Sequence, residues 1–112
     1  MVENSIKPQR FEVYLINLDP TKGSEIQKIR PCVVVSPNEL NRHLMTVIVS
    51  PMTTTMRKYP TRVSLKFDGK EGQIVLDQIR TVDRSRLIRK LGDLELKTQG
   101  KVLDILQDMF SL

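Results

Sequence analysis

The chain has 112 residues, 39% hydrophobic and 28% charged, the size and balance of one ordinary globular domain. Its 18 Lys and Arg against 13 Asp and Glu leave a formal net charge of +5, which favours a polyanionic or acidic partner. A single cysteine excludes an intramolecular disulfide, and no apolar stretch approaches the ~20 residues that span a bilayer.

In chain order, MVENSIKPQR lacks the apolar core of a signal peptide. Phe11 to Leu18, rich in β-branched and aromatic residues and closed by Asp19-Pro20, predicts a first strand. Residues 19–29 read as a long loop. Arg30 to Ser36 is a nearly continuous apolar run, which predicts a strand buried on both faces with Cys32 as a small core residue. Ser36-Pro37-Asn38-Glu39 has the form of a capping box opening one turn of helix.

Thr46 to Ser50 predicts a third strand, and Pro51 to Pro60 a polar loop dense in threonine. Thr61 to Phe67 alternates cleanly, with Arg62, Ser64 and Lys66 on the wet face. Asp68-Gly69 opens a turn and Gly72 closes it before a strand from Gln73 to Leu76. Ile79 to Val82 continues extended, and Leu87 to Leu91 is a shorter strand. After Gly92 the period changes. Val102, Leu103, Ile105, Leu106, Met109 and Phe110 share one helical face, with Gly100 blurring the helix start. These elements make the whole chain, 1–112, one mainly β domain, a small barrel or curled sheet with a C-terminal α-helix.

Several residues could carry chemistry. Pro31 restricts Arg30 to extended backbone, so its guanidinium stands at the mouth of a rigid strand, suited to two phosphate oxygens or to an ion pair with Glu25 or Asp77. Thr53 and Thr54 follow strand three. Asp77-Gln78 follows an apolar strand, where an acid can serve proton transfer or pair with an arginine. Arg57, Lys58, Arg62 and Lys66, then Arg80, Arg84, Arg86, Arg89 and Lys90, form two basic segments that either solvate a face or hold an anion. One histidine, His43, and one core cysteine give no zinc ligand set, and five scattered glycines make no phosphate loop.

Leu18-Asp19-Pro20-Thr21-Lys22-Gly23-Ser24-Glu25, Arg30-Pro31 before its valines and Ser36-Pro37, Ser50-Pro51-Met52-Thr53, Tyr59-Pro60-Thr61 and Leu76-Asp77-Gln78-Ile79-Arg80 occur in a specific order and spacing. In these blocks the sequence resembles the MazF/PemK toxin endoribonucleases of bacterial type II toxin–antitoxin modules, from strand one to about Gly92. The resemblance implies an SH3-like barrel, a cytoplasmic homodimer, and cofactor-free, metal-independent cleavage of single-stranded RNA at short sequences. It also implies attack by a ribose 2′-hydroxyl, leaving a 2′,3′-cyclic phosphate and a 5′-hydroxyl. The implied catalytic residues are Arg30, Thr53, Glu25 and Asp77, with RNA contacts from Lys28, Thr54, Arg62, Lys66, Gln78, Arg80 and Arg86. The implied protein partner is an antitoxin whose acidic, flexible tail shares the RNA groove.

The chain departs from the family at two points. Ser24 stands where some members carry a histidine, which leaves the general base open between Glu25 and Asp77, with Arg30 a candidate to pass a proton to the leaving oxygen. Glu25-Ile26-Gln27-Lys28-Ile29 replaces the family's Glu-Gln-Gly-Gly, which is expected to stiffen the loop and alter the RNA sequence that is cut. A gyrase-targeting toxin of the same fold should end in a Trp-Gly-Ile-type tail, and this chain has no tryptophan. A non-catalytic nucleic-acid-binding barrel should offer aromatic stacking, yet aromatics are 4%, Phe11, Phe67 and Phe110 fall at expected core positions, and only Tyr59 is placed to stack.

Overall fold

The computed structural model describes residues 6–112, so the reading of the N-terminus as leaderless lies partly outside the described residues, on 1–5. β1 (Glu12–Asn17) pairs antiparallel with β2 (Ile29–Val34), Ile16 opposite Arg30. β2 pairs in turn with β3 (Thr46–Thr53), Cys32 opposite Pro51. β4 (Arg62–Phe67) and β5 (Lys70–Val75) form a hairpin whose β5 joins the end of β3. β6 (Arg80–Asp83) lies along the first half of β3, and β7 (Leu87–Asp93) along β1. The order β4-β5-β3-β2-β1-β7 makes a curled half-barrel, with a short α1 (Asn38–His43) between β2 and β3 and a long α2 (Leu96–Met109) at the C-terminus.

The apolar run of β2 is buried on both faces, as its sequence predicts. Val33 and Val35 enter one core with Val13, Met52, Ile74 and Leu76, which α2 covers through Val102, Ile105, Leu106 and Met109. Cys32 and Val34 enter the other with Tyr14, Ile16, Val47, Val49 and Leu87. Cys32 is fully buried, and the cost of desolvating a thiolate pushes its thiol up to about 12, against the opposing charges of Arg80 and Arg30.

Four local expectations need correction. Ser36 does not cap α1. Its hydroxyl donates to Asn41 Oδ1 (2.6 Å) and accepts from the Ile48 N–H (3.1 Å), so a buried tertiary network takes the oxygen a cap would use. Gly72 does not close the β4–β5 turn, because Asp68 and Gly69 alone, both at positive φ, make the two-residue hairpin. Gly72 is a strand residue whose missing Cβ would meet the Thr53 carbonyl oxygen at 2.7 Å. Strand three runs past Ser50 to Thr53, since Met52 and Thr53 find partners on β5, and the loop after it shortens accordingly. Phe110 lies beyond the end of α2 and is 72% exposed instead of entering the core.

β3 explains where the site forms. Its edge away from β2 is served by two strands, β5 at Met52–Thr53 and β6 at Thr46–Val49. Between them the chain makes a 3-10 turn, Leu76–Gln78, opposite Pro51, which has no N–H to give a ladder. The Ser50 hydroxyl bridges the gap by donating to the Val75 carbonyl (2.7 Å).

Candidate active site

Arg30 and Thr53 come from neighbouring strands. β2 and β3 are paired as far as Cys32 and Pro51, and Arg30 and Thr53 each lie two residues beyond that pair on their own strands. Both line a cleft of about 370 Å³ with a partly apolar wall of Met52, Leu65, Phe67 and Leu91. Arg30 Nε donates to the Gln27 carbonyl (3.0 Å), which orients the guanidinium and leaves its two terminal nitrogens free. Among the described residues Arg30 makes no ion pair, so the anticipated bridge to Glu25 or Asp77 does not form. Thr53 Oγ1 accepts the Thr55 N–H (3.1 Å), which keeps the hydroxyl proton available to an incoming acceptor. Thr54, Lys70 and Arg89 line the same cleft.

Glu25, Asp77, Gln78 and Arg80 line a separate cleft of about 540 Å³ beside Pro51. Asp77 is occupied: its Oδ1 accepts from the Thr61 hydroxyl (2.9 Å) and pairs with Arg62 Nε (3.3 Å). Glu25 is exposed and accepts the Lys22 N–H (2.7 Å). Gln78 faces the 19–28 loop, its Oε1 accepting the Ile26 N–H (2.8 Å) and its Nε2 donating to the Ser24 carbonyl (3.5 Å). It holds the segment that carries Glu25.

The expected RNA-binding cations divide by what they already touch. Arg62 is 11% exposed, paired with Asp77, and its guanidinium lies 5.1 Å over the Tyr59 ring. Arg80 Nη1 donates to the Leu18 carbonyl (3.1 Å), and Arg86 Nη1 to those of Asn17 and Asp19. Arg80 and Arg86 thus brace the end of β1. Lys66, exposed and opposite Glu71 across the hairpin, forms no ion pair among the described residues, and neither do the exposed Arg57 and Lys58 on the loop after β3. Lys28, where the family pattern has glycine, adopts φ 71 and is pinned by donating its N–H to Asp19 Oδ1 (2.9 Å) while its carbonyl accepts from Leu18. Both bonds belong to the backbone and a glycine could make them too; what the lysine adds is a side chain at a left-handed φ that glycine adopts without strain.

Sequence reasoning missed Gln73. It is 5% exposed on β5, paired with Thr53, and its side chain reaches the loop after β3. A lone amide in the buried run Gly72–Leu76 was the available signal. Among the described residues no three His, Cys, Asp or Glu side chains cluster as a metal ion would require.

Residues 9–110 match the family model of the PemK-like, MazF-like toxins of type II toxin–antitoxin systems. Endoribonuclease MazF of Staphylococcus saprophyticus is 38% identical over 107 residues, covering 87% of this chain and 88% of its own. The crystal structure of MazF from Deinococcus radiodurans superposes with a TM-score of 0.84 at 26% identity, covering 96% of this chain and 99% of that one. A mycobacterial endoribonuclease in complex with its cognate antitoxin superposes with a TM-score of 0.77 at 29% identity, covering 90% and 92%. The chain belongs to the PemK/MazF toxin family.

Proposed function

We propose that this family member is the toxin endoribonuclease of a toxin–antitoxin pair and cuts single-stranded RNA, without a metal, at the phosphate held between Arg30 and Thr53. The observation that carries the reading is the meeting of those two residues in one cleft, with two guanidinium nitrogens uncommitted. A 2′-hydroxyl oxygen attacks the adjacent phosphorus, and charge accumulates on the non-bridging oxygens. Arg30 donates to those oxygens from its two free guanidinium nitrogens. The Thr53 hydroxyl donates to the same phosphate. A preorganised donor set of this kind is worth on the order of 3 kcal/mol of barrier.

The base comes from the second cleft, beside Pro51. Glu25 carries a single N–H on one carboxylate oxygen, whereas Asp77 Oδ1 holds both Thr61 and Arg62. Glu25 is therefore the more available acceptor for the 2′-hydroxyl proton of RNA that spans both clefts. The P–O5′ bond then breaks, the 5′-oxygen takes a proton from water, Glu25 returns its proton to the hydroxide so formed, and a 2′,3′-cyclic phosphate remains. Exposed cations around the clefts hold the flanking phosphates.

The mycobacterial relative's complex supports an antitoxin partner for this chain. In this reading an acidic, flexible segment of that partner meets the same cations. A homodimer and cytoplasmic action complete the reading, and no described helix is long and apolar enough to cross a membrane. The deciding experiment incubates purified protein with a defined single-stranded RNA pool in EDTA and identifies both new ends. Cyclic phosphate and 5′-hydroxyl ends bear the reading out. Binding with no cleavage would replace it with a non-catalytic RNA-binding barrel.

A further inference from the structure

We propose that Gln73 is a positioning residue that presents the Thr54–Tyr59 loop to RNA beside Arg30 and Thr53, and so helps set which RNA is bound. The inference rests on the nuclease reading above. Residues 54–60 are all exposed, so burial contributes little to fixing this loop. The hydrogen bonds that tie Thr54–Lys58 to another part of the sheet than Thr53 come from Gln73. Its Oε1 accepts the Arg57 N–H (3.0 Å), and its Nε2 donates to the Arg57 carbonyl (2.8 Å) and to Ser64 Oγ (3.2 Å). One side-chain amide thereby copies the two-bond pairing of a strand residue, satisfying a backbone that has no strand beside it.

The loop it holds has the makings of a single-strand contact. Arg57 and Lys58 carry charges with no carboxylate partner among the described residues, and Met56 and Tyr59 are 49% and 52% exposed. Phosphate and base faces could both be met there. Gln73 is also the ladder partner of Thr53, so one residue fixes the catalytic strand end through its backbone and the loop through its side chain. A loop released from this tether must be ordered at binding, which weakens affinity for RNA long enough to reach it.

The test compares wild type with Gln73→Met, which keeps the length and loses both hydrogen-bonding groups. Kinetics on an oligonucleotide that spans the loop should show KM raised about tenfold or more, with turnover at saturation within about threefold. Cleavage sites on a mixed RNA pool should broaden, and the Arg57 amide should lose hydrogen-exchange protection. A purely structural role would lower the active fraction, reducing apparent turnover and leaving KM and site preference unchanged, and that result overturns the proposal.

Should Gln73→Met fail to fold, Arg57→Pro removes the same N–H from the exposed side. Measured against Arg57→Ala, it should raise KM in the same way, and equal KM values for the two would overturn the proposal. If wild type cleaves no RNA while its Arg57 amide is protected, the nuclease reading has failed and the proposal falls with it, a pattern distinct from either result above.

Discussion

The backbone carbonyl of Thr53 fills the space that a Cβ on Gly72 would need, with 2.7 Å between the two positions. The glycine therefore lets β5 approach the strand end that presents the Thr53 hydroxyl. Gly72→Ala should push the two strands apart. A loss of about 1–3 kcal/mol is expected by chemical denaturation, as for other overpacked sites. Turnover at saturating RNA should fall with it, measured on the folded fraction.

Arg30→Ala should lower turnover by about 10²–10³-fold, the usual cost of removing one donor aimed at developing charge. Its melting temperature should stay close to wild type, because the side chain it removes makes one hydrogen bond to the Gln27 carbonyl and no ion pair. Arg30→Lys should recover little, since an ammonium cannot donate from two fixed nitrogens at once. Wild-type turnover in Arg30→Ala would remove this residue from the mechanism.

The two carboxylates separate by substitution. Glu25→Gln should reduce turnover by about 10²-fold or more while leaving unfolding nearly unchanged, as expected of an exposed general base. Asp77→Asn should instead lower the unfolding midpoint, because its bonds to the Thr61 hydroxyl and Arg62 weaken. The reverse assignment would be established if Asp77→Asn alone abolished cleavage in a fully folded protein.

Binding should be steeply salt-dependent, with each phosphate contact contributing about 0.7 to the log–log slope for a single strand. Lys66→Ala should reduce that slope by roughly this amount with little change in stability. Arg86→Ala should do the opposite, since its guanidinium bridges the carbonyls of Asn17 and Asp19. Fluorescence titrations at several salt concentrations, beside thermal melts, distinguish the two.

Tyr14 supplies a pH signature. Burial, then the nearby Glu12 carboxylate that accepts its hydroxyl (3.1 Å), pushes the phenol up from 10.0 to about 12. Between these values the unfolded chain has released the proton and the folded chain has kept it, so stability falls as pH rises. The slope for one group is about 1.4 kcal/mol per pH unit. Tyr14→Phe should flatten the decline by that amount above pH 10, leaving the part due to Cys32, whose thiol titrates from 9.0 in the unfolded chain. Denaturation midpoints from pH 8 to 12 measure it.

Much of the fold can be read in the sequence wherever one residue type has one use. The run Cys32–Val35 has nowhere to go but between two apolar layers, and Asp68-Gly69 between alternating strands makes a hairpin. Reading fails where a residue has two uses and a distant partner decides. Gly72 looks like turn chemistry but provides close approach, and Ser36 looks like a cap but is taken by Asn41. For the site, Arg30 and Thr53 become legible through family resemblance, and their meeting requires the β2–β3 register. The commitments of Arg80 and Arg86 are hidden because backbone carbonyls, present at every residue, accept from them.

Two loops beside the clefts are fastened by uncharged amides, Gln78 gripping Ser24 and Ile26 on one side and Gln73 gripping Arg57 on the other. A neutral clasp does not titrate and is not screened by ions, unlike the exposed cations proposed to draw RNA in. Moving this protein between dilute and concentrated electrolyte should therefore change how much RNA is captured without altering the shape of the jaws that receive it.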